Sequence, residues 1–537
     1  MSKKMTGKTL LTALLAAGVL TLTAAGTAMA DDGKVLNVAW NSDMATMDVC
    51  KTTSNYSVPQ NIFDRLFDIK LNEDGSTELV NSLVTDYSVS EDGLTYTFTL
   101  RDDVQFSDGT PLTASDVAFT FNRMITLEDS VATDWAASIK GAQACLDGEA
   151  DSLEGLNVVD DHTIEFTLEE PFAGFLNEMA AASCSIVSEK NVTEAGDDFG
   201  IDPAKTIGSG PYVITEWVTN DHVTLEANPN YWGEAPSAST VNIKIVPDPS
   251  TLSMMYQSGE IDIIDLDYVD SAIVDSTYKT AYADKLVSGN RLATTYFALN
   301  ENVEPLNDVN VRKAIQMAID RQTILDAIYG GAGQLVDGIF PAGLIGYSEE
   351  NQGQIAYDPE GAKKLLEEAG YADGFEMEIS ADSSSSQANL NVLQIVAENL
   401  AAVGITANIV SYDSASWLDL RKSGEMTSFV SQWTADYNDP DNFIYTFYGN
   451  EGNGKLRSLN YPDADVMKRV RDARTIQDVD ERNAEYAALE KKIVQEDAAW
   501  VPMFSRTHLF AISENVESFV PHWAGYSDFS FSGVTMK

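Results

Sequence analysis

The hydrophobic positions change their spacing along the chain, and each change predicts an element. VLNVAW, starting at Val35, alternates as a half-buried strand does. In LTYTFTLRDDVQF the residues Leu94, Tyr96, Phe98 and Leu100 alternate before a turn at Asp108-Gly109. LTASDVAFTFNRMI then shifts to helical spacing, with Thr113 placed to cap it. HTIEFTLEEPF is another alternating strand, closed by Pro171. The block from about 76 to 200 thus reads as a self-contained α+β unit. VNIKIVPD and GEIDIIDL read as strands. After Thr294 the helical period dominates. DVNVRKAIQMAID puts Val311, Ile315, Ala318 and Ile319 on one face. DPEGAKKLLEEAGY has a cap at Asp358, proline in the first turn, packing residues Leu365, Leu366 and Ala369, and a stop at Gly370. NLNVLQIVAENLAAVGITANIV is a helix followed by a strand. A last long helix is expected over about 479–497. Strands alternating with helices in two long blocks predict two α/β lobes, and two lobes enclose a cleft.

The N-terminus does not belong to that pattern. Lys3, Lys4 and Lys8 precede an apolar run from Leu10 to Leu22, and Ala28-Met29-Ala30 follows as a small-x-small cleavage signature. Residues 1–30 therefore read as a secretory signal peptide. The run is too short to span a bilayer, and no cysteine follows it to carry a lipid anchor. The mature chain is expected outside the cytoplasm, periplasmic or extracellular.

Composition narrows the chemistry. The chain has 34 Lys+Arg against 83 Asp+Glu, a formal charge of -49. Such a surface repels nucleic acid and anionic membrane. Cys50, Cys145 and Cys184 form no CxxC; export permits a Cys145–Cys184 bridge, but spacing does not set connectivity. The four histidines are scattered, so no zinc site and no other cofactor is expected. GNEGNGKL (449–456) is close to a phosphate-binding loop, but Leu456 stands where a hydroxyl would meet magnesium. Asp265, Asp267 and Asp270 lack the glycine of a calcium loop and read as a strand edge. No nucleophile elbow is present. A carboxylate pair for glycoside hydrolysis stays open on sequence alone.

Five segments in order carry a resemblance: FSDGTPLTASDVAFTFNRMI, GSGPYVITEW, NPNYWGEAP, PLNDVNVRKAIQMAIDR and YDPEGAKKLLEEAGY. Together they resemble the family 5 extracellular solute-binding proteins, the peptide, oligopeptide and nickel binders of ABC importers. The resemblance implies a two-lobed Venus-flytrap fold of type II, with an extra α+β domain inserted in the first lobe. Lobe I is then expected from 31–75, 200–295 and 505–537, the inserted subdomain from 76–199, and lobe II from 296–504. It also implies a monomeric receptor that hands a peptide to a membrane permease, without catalysis. Gly208 and Gly210 are expected to permit a tight turn before a strand.

One stretch is unusual in itself. SQWTADYNDPDNF (431–443) sets Trp433 and Tyr437 on either side of Asp436, with no basic residue. In peptide-binding members a W-x-x-D-Y segment lines the cleft, and its aspartate meets the ligand's amino group. A free amine is a compact cation that needs an ionised acceptor once desolvated. The local alternative is that Asp436 caps a turn finished by Asn438 and Pro440. The resemblance further implies Arg421, in the helix 415–422, as a partner for the ligand carboxylate, Asn300 at the strand crossing between lobes, and Thr52, Thr53 and Ser54 as first-lobe contacts. The loop ISADSSSSQANLN lacks the arginine of dipeptide binders, which argues against a strict dipeptide site and leaves longer peptides or a non-peptide ligand open. The rival readings are a non-peptide solute (an opine, a sugar or a metal chelate) and an exported hydrolase.

Overall fold

The computed structural model describes residues 33–52, 55–72, 77–524 and 529–537. The leader at 1–30 lies outside them, as do Thr53 and Ser54.

The strand Val35–Trp40 runs parallel to Thr240–Ile245 and pairs at Val38 with Ile263–Asp265. It is buried on both faces toward its end, because the sheet covers its edges and packed residues cover its faces. Beyond Thr240–Ile245 lie His222–Ala227 and Tyr212–Val218, each antiparallel to its neighbour. On the other side Ile263–Asp265 pairs with Trp500–Ile512, a strand of 13 residues. The C-terminal part of that strand pairs with Ile263–Asp265 and Leu286–Asn290. Its N-terminal part pairs with Ala293–Leu299 and Gly333–Leu335. Ala293–Leu299 in turn holds Ser428–Thr434. One strand therefore belongs to both lobes, and hydrogen bonds run through it from one to the other. The cores stay separate: Leu36, Val241, Ile243 and Phe510 pack in one lobe, and Phe297, Ile315, Val396 and Val501 in the other.

The unit expected near 76–200 has its own sheet. Val84–Val89, Thr95–Leu100, Thr163–Thr167 and Leu156–Asp160 form it in that order, all antiparallel. Tyr96, Phe98, Leu100, Ile164 and Phe166 point into one core, as the alternation requires. The helix Ala114–Thr126 packs on that core and starts where Thr113 N–H donates to the Asp116 carboxylate at 2.9 Å. In the second lobe Pro359–Glu368 starts at Asp358, which accepts from Gly361 N–H at 2.9 Å.

Several expectations change. The final helix runs Val479–Glu490 and continues as a wider π turn over Lys491–Glu496. The strand in GEIDIIDL is only Ile263–Asp265, because the Asp265 side chain accepts Asp267 N–H at 2.9 Å and turns the chain. Gly208 and Gly210 serve a close approach instead of a turn. A Cβ on Gly208 would lie 1.8 Å from the Ile62 carbonyl oxygen, and Gly210 N–H donates to that same oxygen at 2.9 Å. The Cys145–Cys184 bridge does not form: Cys50, Cys145 and Cys184 are all buried free thiols.

Candidate functional site

The stretch 431–443 changes structure in its middle, and this places its side chains. Ser428–Thr434 is a strand whose Trp433 faces Thr294 across the ladder. The helix Pro440–Tyr448 begins six residues after Thr434, capped by Asp439, which accepts Asp441 N–H at 3.0 Å. The cap is thus Asp439 and not Asp436, which leaves Asp436 in the connecting turn. Asn442, in the first turn of the helix, ties the turn together. Its Oδ1 accepts from Trp433 Nε1 at 3.1 Å and from Asp436 N–H at 3.0 Å, and its Nδ2 donates to Asp436 Oδ2 at 3.0 Å.

These residues face a cavity of about 840 Å³ between the lobes, within the size range of ligand sites. One wall carries Trp433, Asp436, Tyr437, Asn442, Tyr445, Arg457 and Arg474. The facing wall carries Tyr56, Trp135, Phe172, Glu178 and Ala181–Ser183. The walls also touch. Trp135 and Tyr437 meet edge to face at 6.0 Å. Behind them Asn177 Nδ2 donates to Asp439 Oδ2 at 3.0 Å, and Ala173 N–H donates to the Arg474 carbonyl at 2.8 Å. The same short stretch therefore lines the cavity and closes one side of it.

Asp436 has open surface because it faces the cavity, yet protein surrounds the cavity on both sides. Burial raises its carboxyl above the usual range, opposed by the Asn442 hydrogen bond and by the positive charge of Arg457. Among the described residues it has no ion pair. Arg457 stands over the Trp433 ring at 4.7 Å and the Phe447 ring at 5.6 Å. Arg474 lies between Phe172 at 4.5 Å and Tyr445 at 3.9 Å, and pairs with Asp441 at 3.0 Å. Burial lifts Asp441 to about 6 against that partner.

Two expected contacts stand elsewhere. Asn300 is fully buried, and its amide is saturated by its own lobe. Its Nδ2 donates to the carbonyls of Gly424 at 3.0 Å and Met426 at 2.8 Å, while its Oδ1 accepts from Asn302 N–H at 3.0 Å and Asn460 Nδ2 at 2.8 Å. Arg421, in the helix Ser414–Ser423, is outside the cavity wall and stacks on Trp417 at 5.4 Å. Burial and the nearby Arg457 both work against its charge. Besides Arg474, the guanidinium lining the cavity is that of Arg457. It follows the helix Glu451–Leu456, the segment that looked like a phosphate loop. Thr52 is buried and its carbonyl accepts the Tyr56 hydroxyl at 2.8 Å. Glu178 was also missed; an acid inside the apolar run FLNEMAAA was its one signal in the sequence.

A second charged cluster lies at the crossing of the lobes. Asp267 meets Arg291, Arg506 at 2.9 Å and His508 at 3.2 Å. Asp265, Asp267 and His508 bring their ligand-type atoms within 4.8 Å of one another. The two guanidiniums already supply the positive charge a metal ion would bring, so the donor set does not fit one.

Known proteins resemble this chain in sequence and in fold. Heme-binding protein A of Haemophilus influenzae is 30% identical over 502 residues, covering 91% of this chain and 89% of that protein. The dipeptide-binding protein of Escherichia coli is 31% identical over 404 residues, 73% of each chain. The ABC transporter-associated periplasmic binding protein DppA from Helicobacter pylori, solved with the peptide STSA, superposes with a TM-score of 0.74 at 26% identity, over 94% of this chain and 98% of that one. Residues 78–455 match the profile of the middle region of the bacterial extracellular solute-binding proteins, family 5. With a two-lobed fold, a cavity between the lobes and relatives along nearly its whole length, this chain belongs to the family 5 bacterial extracellular solute-binding proteins.

Proposed function

We propose that the protein is an exported receptor that captures peptides and delivers them to an ABC transporter permease. The observation that carries this reading is Asp436: a carboxylate with no ion pair among the described residues, facing a cavity of about 840 Å³ between two lobes. An ammonium group brought there gains an ionised acceptor and loses little by leaving water. Trp433 and Tyr437 shield the pair from solvent and pack the first side chain. Arg457, in place of Arg421, is the partner for a ligand carboxylate. The names of the dipeptide-binding relative and of the peptide-bound Helicobacter structure support the choice of ligand. Residues 1–30 act as the signal peptide, and the receptor works as a monomer outside the cytoplasm, with no catalytic step. Its lobes divide as the sequence suggests, with 76–199 inserted in the first. Among the described residues no helix is long and apolar enough to cross a membrane.

Capture proceeds by hinge closure. The crossing strand Trp500–Ile512 is continuous through both lobes, so closure requires bending there and in its neighbours while the walls approach. Calorimetric titration of refolded, ligand-free protein with di-, tri- and tetra-alanine tests the reading. Saturable one-to-one binding is expected, weakest for the dipeptide. No heat with any of the three turns the search to non-peptide solutes.

A further inference from the structure

The cavity carries more acid than base. Asp134, Glu178, Asp436 and Asp441 face it, against Arg457 and Arg474. Arg474 is committed to Asp441, and the charge of Arg457 acts on Asp436. Among the described residues Glu178 is in no ion pair. It ends the short helix Phe175–Glu178, is 6% exposed, and its Oε2 has no hydrogen-bond partner among the described residues. The charged groups that face it from other elements are Arg474, Asp441, Asp134 and Asp439, three of the four negative. Tyr437 and Cys184, its remaining titratable neighbours, bring no positive charge. A buried carboxyl without a partner is costly unless something arrives to satisfy it. Here the open side is the ligand cavity.

Resting on the reading of this cavity as a peptide site, we propose that Glu178 receives a positively charged side chain of the ligand, so that the receptor selects peptides with a basic residue close to their N-terminus. Asp134 acts electrostatically on both Asp436 and Glu178, and Tyr437, next to Asp436, feels the Glu178 charge. Both acids line the same cavity, so the amino group and a side chain of one peptide can meet them there.

Burial favours the uncharged form of this acid before a ligand arrives. Burial, reinforced by Asp441 and Asp134 and opposed by Arg474, pushes Glu178 up to about 8. Arrival of a lysine ammonium reverses that balance. The ligand keeps its proton, Glu178 gives its own to solvent, and a charge-assisted hydrogen bond forms. A basic peptide thus releases close to one proton at neutral pH, and an uncharged peptide releases none from this group. Asp441, at about 6, is already ionised at that pH and does not contribute.

The experiment is calorimetric titration of the refolded full chain with Ala-Ala-Ala, Lys-Ala-Ala and Ala-Lys-Ala near pH 7, in phosphate and in Tris. We expect one of the lysine peptides to bind at least about tenfold tighter than tri-alanine, with a heat that differs between buffers by close to one proton. Glu178→Gln copies the protonated acid in shape and charge, so the fold is kept. It should lose both the preference for a lysine peptide over tri-alanine and the proton release. Should that variant not fold, the buffer dependence of the native protein decides by itself. Equal affinities for all three peptides, or a preference that survives Glu178→Gln, overturn this inference and leave peptide capture intact. No binding of any peptide overturns both.

Discussion

Two buried carboxylates in this molecule show opposite solutions to the same problem. Asp267 sits at the crossing of the lobes with Arg291, Arg506 and His508 around it. Burial opposes its charge, but the His508 hydrogen bond and the two guanidiniums outweigh that and hold its carboxyl below the usual range. Its neighbour Asp265 is pushed well above that range by burial and by the Asp267 charge. Glu178 is equally secluded and has no such partners, so burial drives it to about 8. A saturated cluster fixes geometry. An unsaturated one, open to a cavity, is a place for a ligand to complete. Asp436 is the intermediate case, held by one Asn442 hydrogen bond and opened to the cavity.

Breaking the saturated cluster should have the largest effect. Asp267→Asn leaves two guanidiniums crowded together, and we expect a loss of about 3–5 kcal/mol of unfolding free energy. Urea denaturation reads this as a lower midpoint, with peptide affinity of the folded fraction unchanged; a shift below about 1 kcal/mol would contradict the structural role. Asp436→Ala should do the reverse. Peptide binding weakens by about 2–5 kcal/mol while the denaturation midpoint holds, since this carboxylate braces little of the fold.

The third prediction concerns pH. The ordinary value of Glu178 is 4.5 and its folded value is about 8, so the folded, empty protein keeps a proton that the unfolded chain has lost. Its stabilising contribution is whole below pH 4.5 and declines as pH rises to about 8, by at most about 1.4 kcal/mol per pH unit. Glu178→Gln should remove that slope. Asp441 and Asp64, both lifted to about 6 by burial, slope the same way, so the difference curve between native and variant is the quantity to measure. The smallest effect on stability is expected for Arg457→Ala. Loss of its stacking on Trp433 should cost about 1 kcal/mol of stability, read as a lower Tm. It also removes a charge that lowers the Asp436 carboxyl, so on acidification peptide affinity should begin to fall at a higher pH than in the native protein.

Local signals carried much of the fold. The pair Asp358-Pro359 marks the start of a helix at the position found, and the alternation around Phe98 marks a strand, because both depend on neighbouring residues. What depends on distant contacts was hidden. No local pattern shows that Trp500–Ile512 pairs with strands of two lobes, or that Gly208 must be small to admit Ile62. The same holds in the cavity. Trp433, Asp436 and Tyr437 attract notice as aromatics around an acid. Asn300 does not show in sequence that four hydrogen bonds within its own lobe saturate it, and Arg457 was masked by a glycine-rich segment that resembles a phosphate loop. Glu178 draws its character from Arg474, Asp441 and Asp134, which lie far from it in sequence.

The most direct test of peptide capture through the amine is a thermal-shift assay on refolded, ligand-free protein. A pool of short peptides is compared with the same pool N-acetylated. At about a hundredfold over its dissociation constant a ligand stabilises by about 2.7 kcal/mol, a readily measured rise in Tm. The account predicts a rise with the free pool that vanishes on acetylation and is absent in Asp436→Ala. Equal rises with both pools, or a rise with neither, would contradict it.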